Sequence, residues 1–518
     1  MTAHLPPAFP AADHPVDPPG VFRCGSLTYT KATLAVLFFW LLWGDFCYVL
    51  MESVTGPIMQ LKFKELHASN AQVGLLINSI PMTLTAFLNP VISFKSDRFR
   101  SRWGRRIPFI LASLPLLALA LILLGAGDHI AVWVNGLIAG GDQQHTTLWT
   151  FAVLLIIFTF FNTFLNSVYW YLFNDVVPEH LLARFMSLFR ICSMGAGALY
   201  YQEVFPYMSD EHQILISSHV TAIFWGAAVL YAVGFLAMCM NVKEGLYPPP
   251  PPYVTGRTGP LAAISTFAAE CHRLPHYRYM WACTFIGSIG GGVGAYTLYY
   301  QQALGLAKEQ IANLNTAGLI TGGCLVVVSD WLADRFHPIR LVVIAGFLNL
   351  FIVLPLGCIW LFWLPDAHTV FLISMFIAIG IAGPVNALNG VWDPPLLMRL
   401  FPRSRYGQFC ATNNLWRTMG GVIGAPLGGI FIDWMSKAPT IAVPGQVVTD
   451  PHAYFYIPLW QIAFSIPSLI LLVCVYRSWK RYGGDASYVP PINDAPPALV
   501  AVDVTTAEAQ PSRRWHAT

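Results

Sequence analysis

Charge is scarce in this sequence. Asp, Glu, Lys and Arg make up 11% of its 518 residues, less than half of the roughly 25% a soluble domain carries. That excludes an ordinary water-soluble globule, and with it a soluble nucleic-acid-binding domain. A net charge of +3 defines no acidic partner. The ten cysteines form no C-x-x-C pair and no zinc spacing, so neither a metal module nor a secreted disulfide framework is expected. Those inside apolar runs (Cys47, Cys192, Cys239, Cys283, Cys324, Cys474) read as small buried hydrophobes. H-E-x-x-H, a P-loop and a nucleophile elbow are all missing, so no enzyme, no ATP-driven pump and no cofactor is expected. The first residues, "MTAHLPPAFPAADHPVDPPG", lack a basic segment leading into an apolar core; they read as a proline-rich tail rather than a cleaved signal.

Apolar residues are abundant: 56% hydrophobic, with 17 Trp, 34 Phe and a mean hydropathy of +0.56. A helix crosses a bilayer with about 20 apolar residues. Twelve runs qualify, at 32–54, 71–94, 109–126, 148–173, 185–205, 220–242, 279–302, 311–332, 339–364, 370–391, 407–434 and 454–476. The expected fold is an all-α membrane protein of twelve transmembrane helices in two pseudo-symmetric six-helix bundles, 31–242 and 279–476. Around them are expected a disordered cytoplasmic tail at 1–30, a cytoplasmic linker at 243–278 and a second disordered tail at 477–518. The linker carries five successive prolines, 248–252, an extended stretch of roughly 3.1 Å per residue, then a short helix.

The few charges are concentrated. Residues 93–109, "SFKSDRFRSRWGRRIPF", hold six cations and one carboxylate, Asp97. With both tails and the even loops in the cytoplasm, 23 of the 29 Lys and Arg are cytoplasmic. Lys62, Lys64, Lys308 and Lys437 are outside, and Arg190 and Arg417 fall within helices. This orients a multi-pass protein of the plasma membrane, taken as a bacterial inner membrane. The halves also echo each other. Asp97-Arg98 answers Asp334-Arg335, Arg190 answers Arg417, and Asn162/Asn166 answer Asn386/Asn389, in the same order. Such repeats mark carriers with a substrate site between two similar bundles.

On these residues the chain resembles the major facilitator superfamily, whose loop between helices two and three carries an acid and clustered arginines. More narrowly, 96–110, "SDRFRSRWGRRIPFI", is similar to the plant sucrose transporters and their animal relatives, within the glycoside–pentoside–hexuronide:cation symporters. Ser93 and Asp330 stand where the superfamily usually has glycine, and the acids of "WLLWGDFCYVLMES" are not a feature of the sucrose carriers. The resemblance implies that Asp97, Arg98, Arg102, Arg105, Arg106, Asp334 and Arg335 form a cytoplasmic gate that latches the bundles together. It also implies that Asp175 and Arg190 couple protonation to sugar binding. The residues themselves leave a second place for Asp175, in the gate with the arginines at 98–106.

Ionisable groups inside a membrane cost about 2.5–3.5 kcal/mol on insertion scales and face a cavity or a partner. Asp45, Tyr48 and Glu52 share one helix face, the acids about 10 Å apart. Exclusion of water favours the protonated carboxyl, which lets an intramembrane acid exchange a proton near neutral pH. Asp45 and Glu52 are therefore proton-coupling candidates beside Asp175 and Arg190. Sugar recognition needs amides and aromatic platforms. Trp43, Tyr48, Asn162, Asn166, Trp170, Tyr296, Asn386, Asn389 and Arg417 are the substrate-binding candidates. In "GSIGGGVGAY" the glycines mark a bend, not a nucleotide loop. The expected function is a monomeric secondary active transporter that moves a sugar with a proton, sodium being the alternative ion. Lysolipid transport, or a non-transporting sensor or scaffold on the same fold, are the other readings.

Overall fold

The structure is a computed structural model that describes residues 21–138, 141–209, 215–245, 247, 271–392, 395–402, 406–436 and 450–491. The proline run, the residues 492–518 of the second tail and the Asp334 side chain lie outside what is described.

Each long apolar run becomes a helix, because a backbone in hydrocarbon must satisfy its own polar groups. Among the described residues eleven helices are long and apolar enough to cross a membrane. In chain order, spans one to six are Lys31–Glu65, Asn70–Arg98, Ile107–Gly125, Gln143–Val176, His180–Val204 and Ser217–Asn241. Spans eight to twelve are Lys308–Ala333, Pro338–Leu361, Ala367–Asn389, Tyr406–Met435 and Pro451–Arg481. Span seven completes the twelve in three pieces: an α-helix Pro275–Gly291, a 3₁₀ turn Gly292–Tyr296 and a final helix Thr297–Ala303. The break falls on the glycine run because span eleven crosses there at backbone distance. A Cβ on Gly292 would lie 2.4 Å from the carbonyl carbon of Gly424.

Polar side chains start several spans. Thr30 accepts from the Thr33 amide at span one, Ser69 from Gln72 at span two, and Asp366 from Thr369 at span ten. Four spans contain a π turn, at Leu75–Ser79, Tyr200–Val204, Asn349–Val353 and Ala378–Ala382. Each inserts one residue and re-aims the side chains that follow.

Three expectations need correction. Part of the first tail is ordered: Val21–Cys24 and Leu27–Thr30 pair antiparallel, turning at Gly25 with φ 57°. This hairpin is held because Phe22 stacks on His180 at 5.7 Å and the Cys24 thiol faces the Asp175 and Val177 carbonyls. The start of the second tail is packed as well. Span twelve continues to Arg481, and the Tyr488 hydroxyl donates to the Leu400 carbonyl at 2.8 Å. An additional helix, Gly127–Ile138, follows span three; Asp128 pairs there with Lys62 at 2.8 Å.

The bundles meet along spans two and eleven and along spans five and eight. Ser79 Oγ donates to the Val422 carbonyl at 2.6 Å, and Asn78 Nδ2 to Gly421 at 3.0 Å. On the other seam a Cβ at Gly197 would stand 3.1 Å from Leu319, so the glycine sets the spacing.

Candidate functional site

Span one positions the acids. Asp45 is 1% exposed and accepts from Ser193 Oγ of span five at 2.6 Å. The same hydroxyl lies 3.0 Å from the Phe189 carbonyl. A serine hydroxyl has one proton and two acceptor lone pairs. Ser193 therefore donates to an ionised Asp45, or turns to Phe189 and accepts from a protonated one. The pocket around Asp45 satisfies both protonation states without rearranging the helices.

One turn along the same face, the Tyr48 hydroxyl donates to Glu52 Oε1 at 3.3 Å and accepts from Asn162 Nδ2 of span four at 3.5 Å. Asp45 and Tyr48 are buried, whereas the Glu52 side chain reaches the surface of span one. The side-chain carbonyls of Asn162 and Asn166 are buried with no hydrogen-bond partner among the described residues. Unpaired buried acceptors are uncommon and costly.

Beside this cluster lies a cavity of about 900 Å³. It reaches Arg190, Met194 and Tyr201 on span five, the first two flanking Ser193 in sequence, and its other lining residues belong to the second bundle. Its polar lining includes Asn386, Trp360, Tyr300 and the reciprocal amide pair Gln301–Asn315, bonded at 3.0 and 3.2 Å.

Other expected substrate residues are elsewhere. Trp43 faces span six, where a Cβ on Gly234 would lie 3.5 Å from its Nε1; the space left by the glycine draws it inside the first bundle. Trp170 packs its ring on Phe173 and Phe189, at 5.7 and 5.0 Å. Asn389 and Arg417 are half-buried and do not line the cavity. Tyr296 is fully buried at the end of the molecule opposite the basic loops, its hydroxyl shared by the Asn70 and Ala425 carbonyls at 2.8 and 2.7 Å. It joins the two bundles instead of lining the cavity, because Gly74, Ala425 and Gly429 let the backbones of spans two and eleven converge on its hydroxyl.

That opposite end is sealed. Asn70 Nδ2 donates to Asp433 at 2.6 Å, and Tyr454 donates to Asn70 Oδ1 at 2.9 Å. Lys64 reaches Gln302 at 2.8 Å, Gln202 reaches Asn313 at 3.0 Å, and Tyr299 donates to the Gln60 carbonyl. All these bonds cross from one bundle to the other.

At the basic end Asp175 joins the loop arginines. Arg105 Nε donates to it at 2.8 Å and Arg106 Nε at 3.0 Å. Asp97 pairs with Arg106, and with Arg105 at 3.8 Å. These pairs lie inside the first bundle; the expected latch between bundles is not what they form here. The bond to Asp175 holds the Arg105 guanidinium above its ordinary pKa. Arg98, Arg102 and Arg335 lie against neighbouring rings, of Phe94, Trp103 and Trp331, at 5.0, 5.1 and 5.6 Å.

Sequence reasoning missed Glu244, which follows span six. Its carboxylate accepts the backbone amides of Arg105, Arg106 and Ile107 at 2.9, 2.8 and 2.6 Å, capping span three. Gly104, with φ 103°, is required twice: for that backbone angle, and because a Cβ would sit 2.4 Å from the Glu244 carboxyl carbon. An acid just past a helix end and next to a basic loop was the available signal. Ser193 and Asn70 had none, since both act through partners far away in sequence.

The sequence pattern of the Major Facilitator Superfamily matches residues 41–393. A "Membrane-associated transporter protein" of Mus musculus is 29% identical over 205 residues, 39% of this chain and 37% of the mouse protein. This chain thus spans little more than a third of that relative. Among solved structures, a bacterial homologue of the human lysosomal transporter Spinster, inward-facing and unoccupied, superposes with a TM-score of 0.60 at 12% identity, covering 87% of this chain and 98% of that one. A D-xylose-proton symporter gives 0.57 at 13% identity, over 89% and 98%.

Proposed function

We propose, from the premise that this chain belongs to the major facilitator superfamily, that it carries a sugar, a disaccharide or other glycoside, together with a proton by alternating access. As a transporter of that family it is a multi-pass membrane protein and not an enzyme. The observation that supports the finer reading is a pair of polar clusters on one face of span one, Asp45 with Ser193 and Glu52 with Tyr48 and Asn162. They place Asp45 and Glu52 on the same helix face as Tyr48, and Tyr48 on Asn162, whose unpaired carbonyl is ready for a hydroxyl.

Chemically the arrangement reads as follows. A proton reaches Glu52 from water and Asp45 through the Ser193 pocket, which accommodates either charge state. Neutralising the acids removes the cost of keeping a carboxylate away from water and lets the bundles close around a loaded site. The sugar supplies hydroxyl donors to Asn162 and Asn166, and the amides and rings of the neighbouring cavity provide further contacts. With the basic loops taken as cytoplasmic, the sealed end is outermost and the conformation faces inward.

Proteoliposome uptake of a small sugar panel, with and without an imposed pH gradient, tests this. Accumulation is expected only with the gradient. Asp45→Asn or Glu52→Gln is expected to keep exchange while losing accumulation, for at least one of the two. Normal accumulation by both variants across the pH range would falsify the coupling assignment, and an absence of flux for every sugar would remove the sugar.

A further inference from the structure

A second cavity takes no part in this site. It is a groove of about 640 Å³ between spans nine and twelve, walled by Phe347, Phe351, Ile466, Ile470 and Val473 among other apolar residues. Phe351 is 66% and Ile470 59% exposed, so the groove opens on the surface that meets the bilayer. The two spans touch where Gly346 meets Leu469 and again where Gly357 meets Pro458. Between these contacts the π turn Asn349–Val353 and Pro355 interrupt the regular helix of span nine and keep the surfaces apart.

One charged residue lines the groove, Arg477, at its basic end. Arg477, Lys480 and Arg481 are all exposed within about one helical turn. The acid nearest to them in sequence, Asp485, is engaged by Arg340. From Ile462 to Arg477 the groove follows about 22 Å of helix, whereas one leaflet of a bilayer contributes about 15 Å of hydrocarbon. The groove is therefore long enough for a whole acyl chain, with cations where a headgroup phosphate would lie.

We infer that this groove is a binding site for one anionic phospholipid, an acyl chain lying along Phe351 and Ile470 and the phosphate on Arg477 with its basic neighbours. A zwitterionic lipid fills the groove without a matching net charge, and a soluble phosphate meets the charge without filling the groove. The inference is independent of the transported solute.

The test uses the full-length protein, purified in a neutral detergent and delipidated, with its unfolding midpoint followed during three titrations: dioleoylphosphatidylglycerol, dioleoylphosphatidylcholine and glycerol 1-phosphate. Phosphatidylglycerol is expected to stabilise at a mole fraction at least about threefold lower than phosphatidylcholine, and glycerol phosphate to have no effect. Arg477→Gln should abolish the difference between the two lipids, and Arg477→Lys should retain it. Val473→Trp, which fills the groove, should weaken both lipids. Equal effects of the two lipids, an unchanged preference in an Arg477→Gln/Arg481→Gln variant, or an equal response to glycerol phosphate each overturn the site. Should a variant fail to fold, the three titrations of the unaltered protein still decide.

Discussion

The two ends of the molecule hold their contacts by different chemistry. At the sealed end most bonds across the bundle interface run from neutral amides and phenols to oxygens, Lys64 and Asp433 each meeting a neutral amide instead of an opposite charge, over glycines that let backbones touch. At the basic end the strong pairs of Arg105 and Arg106 with Asp97 and Asp175 close within one bundle. A neutral hydrogen bond contributes only about 0.5–1.5 kcal/mol net, and a set of them can break and reform in each transport cycle. Breaking a largely buried ion pair by removing one partner costs about 3–5 kcal/mol. The sealed end is built to exchange, and the arginine cluster is built to stay.

The largest expected effect breaks that contrast. Asp175→Ala strips both arginines of their shared carboxylate and should destabilise the first bundle by about 3–5 kcal/mol. Thermal unfolding should show it, with no change in which end is open; an unaltered midpoint would mean the cluster is not a fixed unit.

Next comes Gly429→Ala, whose Cβ would sit 2.5 Å from the Asn70 carbonyl carbon and the Tyr296 hydroxyl. Overpacking of this kind costs about 1–3 kcal/mol, here against the sealed state alone. A cysteine placed at the buried Leu298 should then label faster with a membrane-impermeant maleimide. Asn70→Ala, which removes the bonds to Asp433 and Tyr454, should act in the same direction.

Asp97→Asn sharpens the comparison from the other side. It should slow cycling, measured as counterflow, with solute affinity preserved; a pure loss of affinity would argue that the loop has no part in switching.

The smallest effect concerns pH. His337 starts span nine by accepting the Ile339 amide on Nδ1, which only a neutral ring can do. Burial, then Arg399, lowers its pKa from 6.5 to about 4. A group with a depressed folded pKa contributes stability above its unfolded value, and loses it as pH falls through the folded one. Unfolding midpoints should therefore decline between about pH 6.5 and 4, less steeply in His337→Gln. An identical decline in both proteins would exonerate this histidine.

Much of this was legible in the residues. Twelve apolar runs, a bend in the glycine-rich part of span seven and the acids of span one are local facts, since length and hydropathy decide whether a segment can cross a bilayer. What stayed hidden is pairwise. Asp175 had two open partners, Arg190 or the loop arginines, and only packing chose the latter. Tyr296 read as a sugar platform until the backbones of spans two and eleven were found converging on its hydroxyl. Glu244 shows in the chain only as an acid just past a helix end, and becomes the cap of span three when span six ends beside it.

By itself, then, the sequence determined which segments leave water, in what order they repeat, and which few ionisable groups they take along. The tertiary structure alone decided which of those groups meet, which end is shut and which small residues let the bundles touch. The physical reason is range. Partition into a membrane is set within some twenty neighbouring residues, whereas the bonds joining Asn70 to Asp433 or Ser193 to Asp45 link positions 363 and 148 residues apart. Those partners are chosen by how helices pack, and no local pattern encodes it.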